Sequence, residues 1–308
     1  MTRIQVNILQ TLAYFDIFHY PLTNDEIRNF LGSTASQLMV DDQLLLLVQN
    51  ESVYRVGEFY SLHNNFSIAE RRRNGNKKAA EEMLKAARAA RILSHFPFVE
   101  GLAISGSLSK NFADQSTDID FFIIAKTNRL WIARTIMHIF YKLALLVKMQ
   151  RWFCMNYYVD EAALEIEEKN IFTAMEIITL IPMQGAGSVD SFMHANEWTD
   201  RYFPGYKTNH IAAPEIKKGM IRSFIEMLFS KRLGNATDNW LMKITAKRWK
   251  KKEHKLNVNA KGICMGMLAG KHFAKPDPKN FQHRILDQYD DKVDEILYKQ
   301  NKILSVAK

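Results

Sequence analysis

Two aspartates one residue apart, Asp118 and Asp120, stand at the head of the apolar run Phe121-Phe122-Ile123-Ile124. Side chains two residues apart on a strand point to the same side of a sheet. Two carboxylates held together in an apolar strand repel each other and lose solvation, unless a cation compensates them. A divalent ion is the usual reason to keep such a pair, and Mg²⁺ prefers one or two carboxylates plus phosphate oxygens. Upstream lies a second apolar run, Val99 to Ile104, followed by Ser105-Gly106-Ser107. Glycine lets backbone approach a ligand closely, and a serine hydroxyl with nearby N–H groups can hold phosphate. The spacing therefore predicts strand, Gly-Ser turn, short helix and second strand, with Gly106, Ser107, Asp118 and Asp120 in one place.

This arrangement resembles the signature of the polymerase-β-type nucleotidyltransferase superfamily, in particular its small nucleotidyltransferase-domain proteins. That signature is an apolar strand, Gly-Ser, a spacer, then Ser/Thr-Asp-x-Asp, which Thr117-Asp118-Ile119-Asp120 matches. The resemblance covers residues 80–185 and implies a nucleotidyltransferase core, a short mixed sheet with helices. It implies that Asp118 and Asp120 are catalytic and hold the metal, Mg²⁺ or Mn²⁺ in its place, and that Gly106 and Ser107 bind nucleotide. Small members often carry Arg then Gly after the Gly-Ser pair. Lys110-Asn111 stands there in this chain, and Lys110 is a candidate phosphate contact.

Members of the superfamily also place a third carboxylate on the third strand. The corresponding run is Phe153-Cys154-Met155-Asn156-Tyr157-Tyr158-Val159-Asp160-Glu161, with no acid in its middle. Asn156 occupies the first place to look. Its amide oxygen can bind Mg²⁺ but cannot act as a base at neutral pH. Asp160 shares the strand parity of Asn156 and is the second candidate ligand, with Glu161 weaker. Cys154 reads as core.

The 308 residues allow two or three domains. A net charge of +9 favours an anionic partner such as nucleotide, nucleic acid or membrane surface, without choosing among them. Two cysteines are too few for a disulfide framework and fit a cytoplasmic setting. The longest apolar stretch, Ile132 to Val147, is broken by Arg134, His138 and Lys142, so it reads as a buried helix and no membrane partner is expected. No His/Cys spacing suggests zinc.

Helical spacing over residues 5–18, a capping box at Thr23 or Asn24 with Glu26, and a third helix from Ser36 to Gln49 precede two β-rich pieces, 53–56 and 59–62. Three helices and a hairpin give a winged-helix-like region at 1–63. Its third helix has no Lys or Arg and carries Asp41 and Asp42, which points to packing or protein interaction rather than DNA. Residues 64–97 form a linker and helix, 98–187 the core, and 188–308 a helical C-terminal region, an α+β chain as a whole.

Two basic runs stand out. Arg71-Arg72-Arg73 with Lys77-Lys78 reads as a solvated helix face or a phosphate contact. The helix around 243–255, with Lys243, Lys247-Arg248-Trp249-Lys250-Lys251-Lys252 and Trp240, reads either as a nucleic-acid face with stacking aromatics or as an amphipathic helix with its tryptophans in the core. Gly262, Gly266 and Gly270 suggest close helix packing.

Together these readings predict Mg²⁺-dependent transfer of a nucleoside monophosphate from an NTP, ATP being the expected one, to a hydroxyl of an acceptor that is a small molecule, protein or RNA. The alternative is a catalytically impaired protein of the same fold that binds nucleotide or nucleic acid as a regulatory module.

Overall fold

The computed structural model describes residues 1–207, 213–255, 267–277 and 280–306, and of 252–255 and 300–306 the backbone alone. Helices α1 (Arg3–Asp16), α2 (Asn24–Asn29) and α3 (Gln37–Gln49) surround a small antiparallel sheet of β1 (Leu22–Thr23), β2 (Tyr54–Val56) and β3 (Phe59–Ser61) in the order β1-β3-β2. Thr23 caps α2 in a full capping box with Glu26, and Ser36 caps α3. The short β1, two residues long, escapes any periodicity argument.

Helix α4 (Phe66–Leu93) is continuous through the first basic run. Of its three arginines, Arg71 and Arg73 are exposed, as a solvated face requires, and Arg72 is the exception. Arg72 is buried, donates to Glu26 Oε1 at 2.6 Å and to the Pro21 carbonyl at 3.0 Å, and lies over the Tyr20 ring at 3.6 Å. Arg71 donates to the carbonyls of Phe18 and His19, and Arg73 pairs with Glu58. The run fastens α4 to the N-terminal region.

The larger sheet has the order β7-β4-β5-β6-β9-β8, built from β4 (Val99–Ile104), β5 (Asp120–Ala125), β6 (Cys154–Asp160), β7 (Ile181–Gln184), β8 (Leu268–Ala269) and β9 (Phe273–Lys275). Only β5 and β6 are parallel, joined by α6 (Leu130–Leu146); α5 (Gly106–Ser109) follows β4. Helix α7 (Ile171–Ile178) stops short of Ile181-Pro182, because that segment becomes the edge strand β7, where a proline is tolerated. Helices α8 (Ala186–Ala195), α9 (Met220–Leu228), α10 (Arg232–Lys255) and α11 (Phe281–Val306) follow. The predicted wholly helical C-terminal region is corrected by β8 and β9, which extend the sheet beyond β6. Gly270 belongs to the β8–β9 hairpin rather than to a helix, and Gly262 and Gly266 lie outside the described residues.

Alternation along the strands divides the core. Phe121, Ile123, Ala125 and Tyr158 face α4, α6 and α10, where they meet Leu93, Trp131 and Trp249. Phe122, Ile124 and Val159 face the other way, into one apolar cluster shared with Phe15, Leu44, Met175, Phe192 and Ile285. The N-terminal helices, α7, α8 and α11 thus share one core on that face of the sheet. Among the described residues no helix is long and apolar enough to cross a membrane.

Candidate functional site

A cleft of about 570 Å³ opens on the Phe122 face of the sheet. Its lining includes Gly106, Asp118, Asp120, Cys154, Asn156 and Glu176, with an apolar wall from Phe172, Ile177, Leu180 and Phe281. The sequence-predicted Gly106, Asp118, Asp120 and Asn156 are thus brought together.

Local interactions explain how. Asp114 Oδ1 accepts from the Ser116 amide and from the hydroxyls of Ser116 and Thr117, which folds the loop ahead of the acids. Ile119 donates its amide to the Arg151 carbonyl and its own carbonyl accepts from Cys154, so the acid-bearing segment is pinned to the start of β6. Gly106 has φ +68°, and a Cβ there would lie 2.3 Å from Asp120 Oδ2. The bare glycine therefore lets the carboxylate sit against the turn.

Electrostatically the two acids differ. Asp118 is half exposed and lies 3.8 Å from Arg151 Nε. Asp120 is largely withdrawn from solvent, and burial pushes its carboxyl up to about 7, with Glu176 and Asp118 adding repulsion. Asn156 Nδ2 donates to Asp120 Oδ1 at 2.6 Å, and Cys154 Sγ donates to Asn156 Oδ1 at 3.2 Å. Burial, then the charge of Asp120, pushes the Cys154 thiol up as well, so it stays neutral at physiological pH. Cys154 lines the cleft rather than filling the core.

Asp160 is not a partner of this site. The β5–β6 register pairs Phe121 with Met155 and Phe122 with Tyr157, so Asn156 is an extra, bulged residue. The bulge resets the alternation and removes the shared parity that strict period-two counting assigns to Asn156 and Asp160. Asp160 pairs with Ala125 at the far end of β5 and is fully buried. Its carboxylate accepts from the amides of Asn128 and Ala162 and lies 3.0 Å from His272 Nδ1. Glu161 sits beyond it, against the Ser188 hydroxyl.

Ser107 and Lys110 flank the cleft without lining it. The Lys110 ammonium donates to Glu176 Oε1 at 2.8 Å and to the Gly106 carbonyl at 3.1 Å. Glu176 is the cleft residue that the strand-based reading missed. It comes from α7, and no local pattern in the sequence ties it to Asp120. Glu168, paired with Lys275 at 2.7 Å, is a second cleft acid of the same kind.

Among the described residues no group of three or more His, Cys, Asp or Glu side chains has metal-holding geometry. The donors present still fit a hard cation. Asp118 and Asp120 offer carboxylate oxygens, and a cation would favour the ionised form of the desolvated Asp120 carboxyl, while the Asn156 amide turns its nitrogen to Asp120 and its oxygen to the Cys154 thiol.

Compared with known proteins, the chain matches no family model, no curated protein and no solved structure.

Proposed function

We propose that the chain is a nucleotidyltransferase acting at this cleft. The observation that carries the reading is the contact of Gly106 with Asp120, the Gly-Ser turn after β4 set against the Asp118/Asp120 pair at the start of β5. The first amides of a helix lack intrahelical acceptors, so Gly106 and Ser107 offer N–H donors and a hydroxyl to a triphosphate. Asp118 and Asp120 are the groups that would hold Mg²⁺, with the Asn156 side-chain nitrogen orienting the Asp120 carboxylate. Once bound, the ion supplies charge neutralisation at the phosphates and fixes their orientation.

In this reading the chain's own part is positioning. Asp120 is fixed by the Asn156 amide, and Lys110 fixes Glu176 on the opposite wall. The acceptor hydroxyl attacks the α-phosphorus in line, a nucleoside monophosphate is transferred, and pyrophosphate leaves. With an amide where the superfamily places its third acid, that position supplies no base, and the hydroxyl proton passes to solvent. The apolar wall of Phe172, Ile177, Leu180 and Phe281 suits a planar or apolar body bound beside the phosphates. The three helices and small sheet at the N-terminus have the element order of a winged helix, and we read them as a packing or partner-binding region.

A second reading, a catalytically impaired nucleotide- or nucleic-acid-binding module, is favoured by one observation, the amide of Asn156 in place of the third acid. The test is a thermal-shift panel of the four NTPs with and without Mg²⁺, on wild type and Asp120→Ala, followed by transfer of label from the α-phosphate. Mg²⁺-dependent stabilisation by one NTP, lost in the variant and accompanied by transfer, supports the enzyme. Stabilisation without transfer supports the nucleotide-binding module, and no shift with any NTP removes the enzyme and leaves the nucleic-acid-binding form of the second reading.

A further inference from the structure

Helix α9 is turned inside out. Its charged side chains, Arg222 and Glu226, are the buried ones. Arg222 Nε donates to Glu226 Oε1 at 2.7 Å, and its other nitrogens donate to the carbonyls of Ser94 and Val99, each at 2.8 Å. Glu226 Oε1 also accepts from the Phe98 amide at 2.9 Å. This buried network fixes which face of α9 looks in. The opposite face presents Met220 and Ile221, 91% and 80% exposed, with Phe224, Met227 and Leu228 beside them. Such a concentration of exposed apolar side chains on one short helix marks an interaction surface.

The neighbouring α10 supplies the charge. Its outward positions recur at helical spacing as Arg232, Ala236, Trp240, Lys243, Lys247 and Lys251, while Asp238 and Trp249 face inward. Arg129, itself buried, holds the α9–α10 junction by donating to the carbonyls of Phe229, Ser230 and Lys231. Residues 215–251 contain ten Lys and Arg against three Asp and Glu, a net +7 of the chain's +9. Glu226 and Asp238 among the acids and Arg222 among the cations are buried, which leaves nine cations and one acid towards solvent.

We propose that α9 docks on an anionic lipid bilayer, its apolar residues entering the headgroup boundary, with the lysines of the following α10 drawing the chain towards acidic lipids. Apolar side chains beside a basic face are what such an interface takes up. A second copy of the chain fits less well, since two faces of this charge repel each other. A polynucleotide would use the lysines and Trp240 but leave the aliphatic side chains of α9 with nothing to bury them. The attachment is peripheral and needs no membrane-spanning helix.

The experiment is cosedimentation of the full chain with phosphatidylcholine vesicles, with and without phosphatidylserine, and with a single-stranded polynucleotide as competitor. Wild type is expected on the phosphatidylserine vesicles. Ile221→Asp with Phe224→Asp should weaken that binding roughly tenfold or more, and each of Lys243→Gln and Lys247→Gln roughly fivefold. All these positions are exposed, so thermal melts without vesicles should match wild type. Three outcomes would overturn the proposal: no vesicle binding by wild type, equal binding by the Asp double variant, or a wild-type dimer that this variant dissociates. Displacement by polynucleotide that is insensitive to the α9 substitutions would reassign the face to nucleic acid.

Discussion

Asn156 donates its side-chain amide to Asp120 Oδ1 at 2.6 Å, across the parallel pair of β5 and β6 and from within a bulge. The bond orients the carboxylate but supplies no positive charge, so it offsets only part of what burial costs the anion.

A pH dependence follows. The Asp120 carboxyl titrates near 7 in the folded chain, above its ordinary value of 3.8. Below the ordinary value both folded and unfolded forms are protonated. As pH rises towards 7 the unfolded form loses its proton first, so stability falls across this window and levels off above it. Asp120→Asn should be more stable than wild type at pH 8 by roughly 4 kcal/mol and equal to it near pH 4, as read from urea midpoints. Mg²⁺ should stabilise wild type more at pH 8 than at pH 5 and leave the variant unchanged.

Gly106→Ala tests the close approach of turn and acid. The left-handed φ and the 2.3 Å contact with Asp120 Oδ2 both oppose a Cβ. Loss of about 1–3 kcal/mol in chemical denaturation is expected, together with loss of the Mg²⁺-dependent NTP shift. Retention of that shift would detach the glycine from the site.

The two candidate third ligands should separate cleanly. Asn156→Asp adds a carboxylate beside Asp118 and Asp120, and should lower stability without metal while tightening Mg²⁺ binding in calorimetry. Asp160→Asn removes charge from a fully buried acceptor of two backbone amides. It should cost about 1–3 kcal/mol and leave Mg²⁺ affinity unaltered.

Trp240 and Trp249, alike in the sequence, have opposite roles in the fold. Trp249 is 7% exposed, packs edge-on against Trp131 and lies under Arg134. Trp240 is 61% exposed. Trp249→Ala should cost about 3–5 kcal/mol, whereas Trp240→Ala should change stability by less than about 0.5 kcal/mol. Equal losses would contradict this division of α10.

Much of the central fold was legible because its signals are local. Strand β4 runs over the predicted Val99–Ile104, and β5 and β6 lie within a residue of expectation, since apolar runs bounded by turn residues mark buried strands. The meeting of Gly106, Asp118, Asp120 and Asn156 was legible from the same segment. What escaped depends on partners remote in the chain. Arg72 of α4 looks like part of a solvated face until Pro21 and Glu26 are brought to it. Glu176 reaches the cleft only through the packing of α7, and Asp160 was misplaced because one bulged residue shifts the phase of β6. Helix α9 was silent for another reason: an inverted helix has the same periodicity as an ordinary one, and only its surroundings say which face is inside.

The pairing of β6 with β9 has a consequence for synthesis. Tyr158 and Val159 are bonded along their outer edge to Ala274 and Phe273, contributed by a segment more than a hundred residues later. On a ribosome the sheet carrying the aspartates therefore has an open edge for on the order of ten seconds after β6 is made. An unpaired strand edge invites pairing with another chain. The acids Glu161, Glu165, Glu167 and Glu168 follow that strand directly and can keep nascent chains apart until the hairpin arrives.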